Sequence, residues 1–195
     1  MQRTTHLLYL HGFRSSPRSA KAQKTAERMR TQYPQVVWCC PPLPASPKQA
    51  MQEVLGLVAD WPRDRMAIMG SSLGGFYASW LSAKLNCPAV LLNPAVYPAR
   101  DLAKYIGEHP VWHDPTQKIF FDAAYVHELA ELEALPPMAQ PLTLALIAQG
   151  DEVLDWREMW ARHQAGQVRL IEGSDHALTD FDDYWPEMAQ FLRLA

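Results

Sequence analysis

Six short stretches of the chain, residues 7–10, 36–39, 66–69, 89–92, 142–148 and 168–171, are almost continuously apolar. None alternates strictly with polar residues, which is the pattern of strands in a sheet covered on both faces. Between them lie segments with helical spacing and recognisable starts. Ser46 precedes Pro47 at a first helical position, with Gln49 three residues beyond the cap, and Val54, Leu55 and Val58 form the apolar stripe. Asp155 and Glu158 repeat that capping logic, and Gly166 is placed to stop the helix. Leu73, Phe76, Tyr77, Trp80, Leu81 and Leu85 follow i, i+3, i+4 spacing along a third helix. This alternation predicts an α/β fold: a mostly parallel sheet of about six strands with helices on both faces and right-handed crossovers. Residues 94–141, rich in proline, aromatics and histidine, break the rhythm. They read as a short, largely helical insertion over the carboxyl edge of the sheet, so that residues 1–195 form one domain.

Composition narrows the picture. A chain of 195 residues, 48% hydrophobic and 20% charged, is long enough to bury a full core. Its apolar runs fall well short of the roughly 20 residues that span a bilayer, and its N-terminus lacks the layout of a secretory signal. Cys39, Cys40 and Cys87 are odd in number and two are adjacent, which suits neither a disulfide framework nor a spaced zinc site. The expectation is a cytoplasmic protein without a membrane span. Net charge is −3, but residues 1–30 hold seven cations against Glu27 alone, a local excess of +6 that leaves −9 for the remainder. An overall acidic chain is a poor nucleic-acid binder, and the basic stretch reads first as a solvated helix.

The run ending at Met69 is followed at once by Gly70-Ser71-Ser72-Leu73-Gly74. A G-x-S-x-G pattern alone is a weak signal. Between a strand and an amphipathic helix it is the setting of a nucleophile elbow, a strained turn that exposes a serine hydroxyl at a helix N-terminus. No Gly-Lys-Ser/Thr follows, which removes a phosphate-loop reading. A serine nucleophile needs a base oriented by an acid. Asp151 follows the strand at 142–148, and His176 follows the strand at 168–171. The order Ser72, Asp151, His176 after successive strands is that of α/β-hydrolases. The oxyanion donors are expected to be the backbone N–H groups of Leu73 and of Phe13, in His11-Gly12-Phe13 after the first strand. Asp155 is the main rival for the acid, and Asp175 adjoins the base; Asp155 reads as a helix cap. Glu108, His109, His113 and Asp114 look like a metal cluster, but Pro110 interrupts the helix that would align the histidines. No metal or organic cofactor is expected.

Beyond these residues, the stretches "LYLHGFRSSPRSAKA", "GSSLGGFYA", "LLNPAVYP", "GDEVLDWR" and "GSDHAL" resemble, in colinear order, the small bacterial YqiA-like esterases of the α/β-hydrolase superfamily. The resemblance implies a compact serine hydrolase of carboxylic esters, with acyl-CoA thioesters also associated with the family. It carries over Ser72, Asp151 and His176 as the triad and His11-Gly12-Phe13 as the oxyanion loop. The implied partner is a small-molecule ester or thioester. On that reading Arg14 and Arg18, with Lys21, become receivers of an anionic substrate group; Trp112 either walls an acyl pocket or packs the insertion. The alternatives are an enzyme that acts mainly on acyl-CoA thioesters and a non-catalytic binding protein on a hydrolase scaffold.

Overall fold

The computed structural model describes residues 2–112, 114–134 and 142–194. Its elements run β1 (His6–Leu10), α1 (Ala20–Gln32), β2 (Val37–Cys39), α2 (Pro47–Leu57), β3 (Met66–Ser71), α3 (Leu73–Leu85), β4 (Ala89–Leu92), α4 (Pro98–Leu102), β5 (Gly107–Val111), β6 (Asp114–Phe121), α5 (Ala123–Glu133), β7 (Thr143–Ala148), α6 (Trp156–His163), β8 (Gln167–Ile171) and α7 (Trp185–Phe191). Six strands pair in the order β2-β1-β3-β4-β7-β8, every pair parallel. The expected α/β sheet is therefore present.

Alternate residues of the central strands feed two cores. On one face Leu8, Leu10, Ile68, Leu91, Ala145 and Ile147 meet α2, α3 and α5. On the other, Leu7, Tyr9, Met69, Val90, Leu92 and Leu146 meet α1 and α7. Burial on both faces is what made these strands continuously apolar. The two outer strands differ: Val37 of β2 is 51% exposed, and in β8 only Ile171 is buried. The helix after Ser72 also departs from a simple stripe. Nine of the residues of α3, among them Gly74, Gly75, Ala78, Ser79 and Ser82, are buried, so small side chains fill the face opposite the large ones.

Local caps follow the sequence. Ser46 Oγ accepts from the N–H of Gln49, and Asp155 Oδ1 accepts from the N–H of Arg157. Glu158 does not close a capping box; its carboxylate pairs with Arg100 instead. The inserted segment carries helices α4 and α5, as expected, and in addition an antiparallel hairpin, β5–β6. Pro110 sits within it opposite Lys118, beside a register irregularity, where a missing N–H costs no central ladder bond. Residues 135–141 of the segment lie outside the described residues.

The start of α3 leaves no room for side chains. A Cβ on Gly74 would lie 2.1 Å from the carbonyl oxygen of Leu10, and one on Gly70 would lie 2.1 Å from that of Gly74. By contrast, nothing stands within 4 Å of a Cβ on Gly56, at an exposed position of α2. Gly74→Ala is expected to lower unfolding stability by about 1–3 kcal/mol or more, and Gly56→Ala to raise it by about 0.4–1 kcal/mol. Urea unfolding of both variants checks the pair.

Candidate active site

The carboxyl ends of β1, β3, β4, β7 and β8 converge. Register places Leu10 beside Gly70, Ser71 beside Leu92, and Leu92 beside Leu146, so residues that follow these strands emerge at one edge. Ser72 follows β3 with φ +56° and ψ −121°, a conformation that L residues rarely adopt. Its N–H donates to Leu92 O, and its carbonyl accepts from the N–H groups of Gly75, Phe76 and Ala95. These bonds hold the turn and leave Oγ directed outward.

The side chains of Ser72, His176 and Asp151 form one hydrogen-bonded chain. His176 Nδ1 lies 2.7 Å from Asp151 Oδ2, and Nε2 lies 3.1 Å from Ser72 Oγ. With the proton on Nδ1, the imidazole donates to the carboxylate and presents its Nε2 lone pair to the hydroxyl. The Asp151 side chain is fully buried, and its second oxygen accepts from the N–H groups of Val153 and Leu154, which fixes the carboxylate. Close contact also shapes this corner: a Cβ on Gly150 would lie 2.3 Å from Ser174 O. Neither rival acid touches the imidazole ring. Asp155 caps α6, and Asp175 Oδ1 accepts from Thr179 N–H.

After β1, His11 is buried, with Nδ1 3.0 Å from Gly12 O and Nε2 accepting from the N–H of Leu43. This sets the tautomer and ties the loop to the segment after β2. Gly12 passes close to the elbow, for its Cβ would lie 3.2 Å from Ser72 Cβ. The ring of Phe13 packs edge-on against Phe121 at 5.2 Å and tilted against Tyr105 at 5.6 Å. Among the described residues, the N–H groups of Phe13 and Leu73 make no hydrogen bond.

The other candidate residues are placed less simply. Arg14, at φ +56°, donates from Nε to Pro110 O, accepts from Trp112 N–H, and stacks 4.2 Å over the Trp112 ring. Arg14 and Trp112 thus bind each other, and Trp112 is 69% exposed at the hairpin end. Arg18 is exposed, its N–H bonded to Ser16 Oγ. Three of the seven cations of residues 1–30 are ion-paired: Lys24 and Arg28 with Asp182, and Arg30 with Glu27. Among the described residues no group of three His, Cys, Asp or Glu side chains is arranged to hold a metal; His113 lies outside them. No helix among them is long and apolar enough to cross a membrane.

Two contacts near the imidazole escaped the sequence reading, one of them made by Lys21, which was read only as a receiver of an anionic group. Glu152 Oε2 accepts from the N–H of His176, and Lys21 Nζ donates to Ala177 O, across 156 positions of sequence. The first adjoins Asp151, but nothing local announces the second.

The sequence profile of the uncharacterised protein family UPF0227 matches residues 6–193. The chain belongs to that family. UPF0227 is the YqiA-like family. Solved structures share its fold. One is Est1E from Butyrivibrio proteoclasticus with ferulic acid bound, 14% identical with a TM-score of 0.70 over 98% of this chain and 87% of that one. Another is the esterase domain of a Rhodothermus marinus protein, 16% identical with a TM-score of 0.70 over 99% and 88%. A third is α/β-hydrolase domain-containing protein 10 from mouse, 15% identical with a TM-score of 0.68 over 96% and 92%.

Burial lowers the pKa of Lys21 to about 8, against the opposing pull of Asp175 and Asp151. A folded-state value below the ordinary 10.5 means that the unfolded chain binds this proton more tightly, so the Lys21 contribution to stability rises as pH climbs from about 8 towards 10.5. Compared with Lys21→Met, wild type is expected to gain unfolding free energy between about pH 7 and about pH 10. Urea titrations at the two pH values measure it; a pH-independent difference would show a solvated ammonium.

Proposed function

We propose that this member of UPF0227 is a serine hydrolase that cleaves carboxylic esters or thioesters through an acyl-enzyme. The observation that carries the reading is the Asp151–His176–Ser72 chain at 2.7 and 3.1 Å, with Ser72 on a left-handed turn before a buried helix. The esterases among the structural neighbours agree with it. The reading treats the chain as one hydrolase unit with residues 94–141 as its cap. Three free cysteines favour a reducing, cytoplasmic setting.

In the first step Ser72 Oγ attacks the substrate carbonyl carbon while His176 Nε2 takes the hydroxyl proton. Asp151, with both oxygens already engaged, holds the Nδ1–H tautomer and stabilises the imidazolium. The negative charge that develops on the carbonyl oxygen falls to the N–H groups of Leu73 and Phe13. His176 then protonates the leaving oxygen or sulfur, the bond to the acyl carbon breaks, and the acyl group remains on Ser72. Water enters, gives its proton to His176 and its oxygen to the acyl carbon; the proton returns to Ser72 as the acid leaves. No step calls on a metal or an organic cofactor.

Treatment with a fluorophosphonate is expected to add one adduct, mapped to the peptide of Ser72 and absent from Ser72→Ala. No adduct on folded wild type would instead favour a binding protein on a hydrolase scaffold. Among esters and acyl-CoA thioesters of matched acyl group, the ratio of kcat/KM values then assigns the leaving-group class. Asp151→Asn is expected to lower kcat by about 10⁴-fold by disturbing the tautomer. Asp155→Asn keeps the capping acceptor, removes only a charge and leaves kcat within about twofold; the reverse result would move the acid to Asp155.

A further inference from the structure

Asn93 lies at the carboxyl end of β4, completely buried, with φ +42°. Its carboxamide makes three hydrogen bonds. Oδ1 accepts from Ala148 N–H at 2.8 Å, and Nδ2 donates to the carbonyls of Asp175 at 3.0 Å and His176 at 3.2 Å. The amide orientation follows from its surroundings, since one neighbour is a donor and two are acceptors. The next two residues face the opposite way along the edge. Pro94 packs on α3, where a Cβ on Gly75 would lie 2.9 Å from it, and Ala95 N–H donates to Ser72 O at 3.0 Å. Three consecutive residues therefore touch the serine turn, the end of β7 and the backbone of the histidine loop.

We infer that Asn93 is a positioning residue whose carboxamide, bonded to the carbonyls of Asp175 and His176, holds the imidazole of His176 in reach of Ser72. The inference rests on the hydrolase reading above. Asparagine meets both demands of the position. It accepts a left-handed backbone more readily than most residues, and its amide offers two donors beside an acceptor. Aspartate would keep the acceptor but set a carboxylate oxygen against two carbonyls. Glycine would keep the backbone and lose all three bonds. Other groups hold the same loop at other atoms: Lys21 donates to Ala177 O, and Glu152 accepts from His176 N–H. Asn93 acts from the interior, where a hydrogen bond is stronger and has no solvent substitute.

The test compares wild type with Asn93→Asp and Asn93→Gly, using ester turnover, fluorophosphonate labelling and the proton NMR signal of His176 Nδ1–H. Both folded variants are expected to lose about 10²-fold in kcat through a displaced base, with KM within about twofold and the His176 signal shifted and broadened by exchange. A variant that keeps wild-type kcat and signal overturns the proposal. Wild type supplies a check that needs no variant: the Nδ2 protons of Asn93 are expected to be protected from solvent exchange, and free exchange overturns it. If wild type neither turns over esters nor labels at Ser72, the hydrolase reading falls. The His176 signal then decides the positioning role alone, unchanged signals in the variants overturning it and displaced ones supporting it.

Discussion

The site depends on one close approach, the backbone of Gly74 against the carbonyls of Leu10 and His11. No Cβ fits between them, so α3 starts directly against the end of β1. That contact places the turn at Ser72 and the loop at Gly12 side by side, with only 3.2 Å between a Cβ at Gly12 and Ser72 Cβ. The proposed nucleophile and the proposed oxyanion donors are thus neighbours for one reason. Gly70 and Gly74 serve the geometry of the turn, and the pattern G-x-S-x-G records that packing requirement in the sequence.

How much was legible varied with the physics. Strands β1, β3, β4 and β7 are buried on both faces, so their apolar runs marked them plainly. The outer strand β8 holds Arg169 and Leu170 towards solvent, and it was found from a run that is in truth half exposed. The hairpin β5–β6 escaped because its residues are largely polar and Pro110 reads as a breaker; a two-stranded ribbon needs neither an apolar run nor that N–H. Missing the hairpin made Arg14 look free, since Pro110 O and Trp112 were not yet beside it. Ser72, Asp151 and His176 were readable from their order after strands, whereas the Ser72–His176 contact spans 104 positions and only the assembled sheet creates it. Lys21 and Asn93 act through backbone carbonyls, which leave no mark of their own in a sequence.

The inserted segment is more than a cover. Two carboxylates of α5 reach the starts of other helices. Glu128 accepts from Ser46 Oγ and Lys48 N–H at α2, and Glu133 accepts from Ala99 N–H at α4. Negative charge at a helix N-terminus is favourable and satisfies otherwise unpaired donors. Leu129 and Phe121 join the same core as the central strands. The Arg100–Glu158 pair adds a link to α6, but its exposure limits its worth. Burial and caps, rather than surface charge, anchor the segment.

The hairpin also grips the loop after β1, through Phe13 on Phe121 and Tyr105 and through Arg14 on Pro110 and Trp112. Movement of the hairpin would drag the loop after β1 with it. On the proposed reading, the position of the hairpin and electrophilic activation by the Phe13 N–H would be a single coordinate. A bulky acyl chain that displaced the hairpin would then disturb the Phe13 N–H as it entered, so selection by size would act on the rate of acylation more than on the strength of binding.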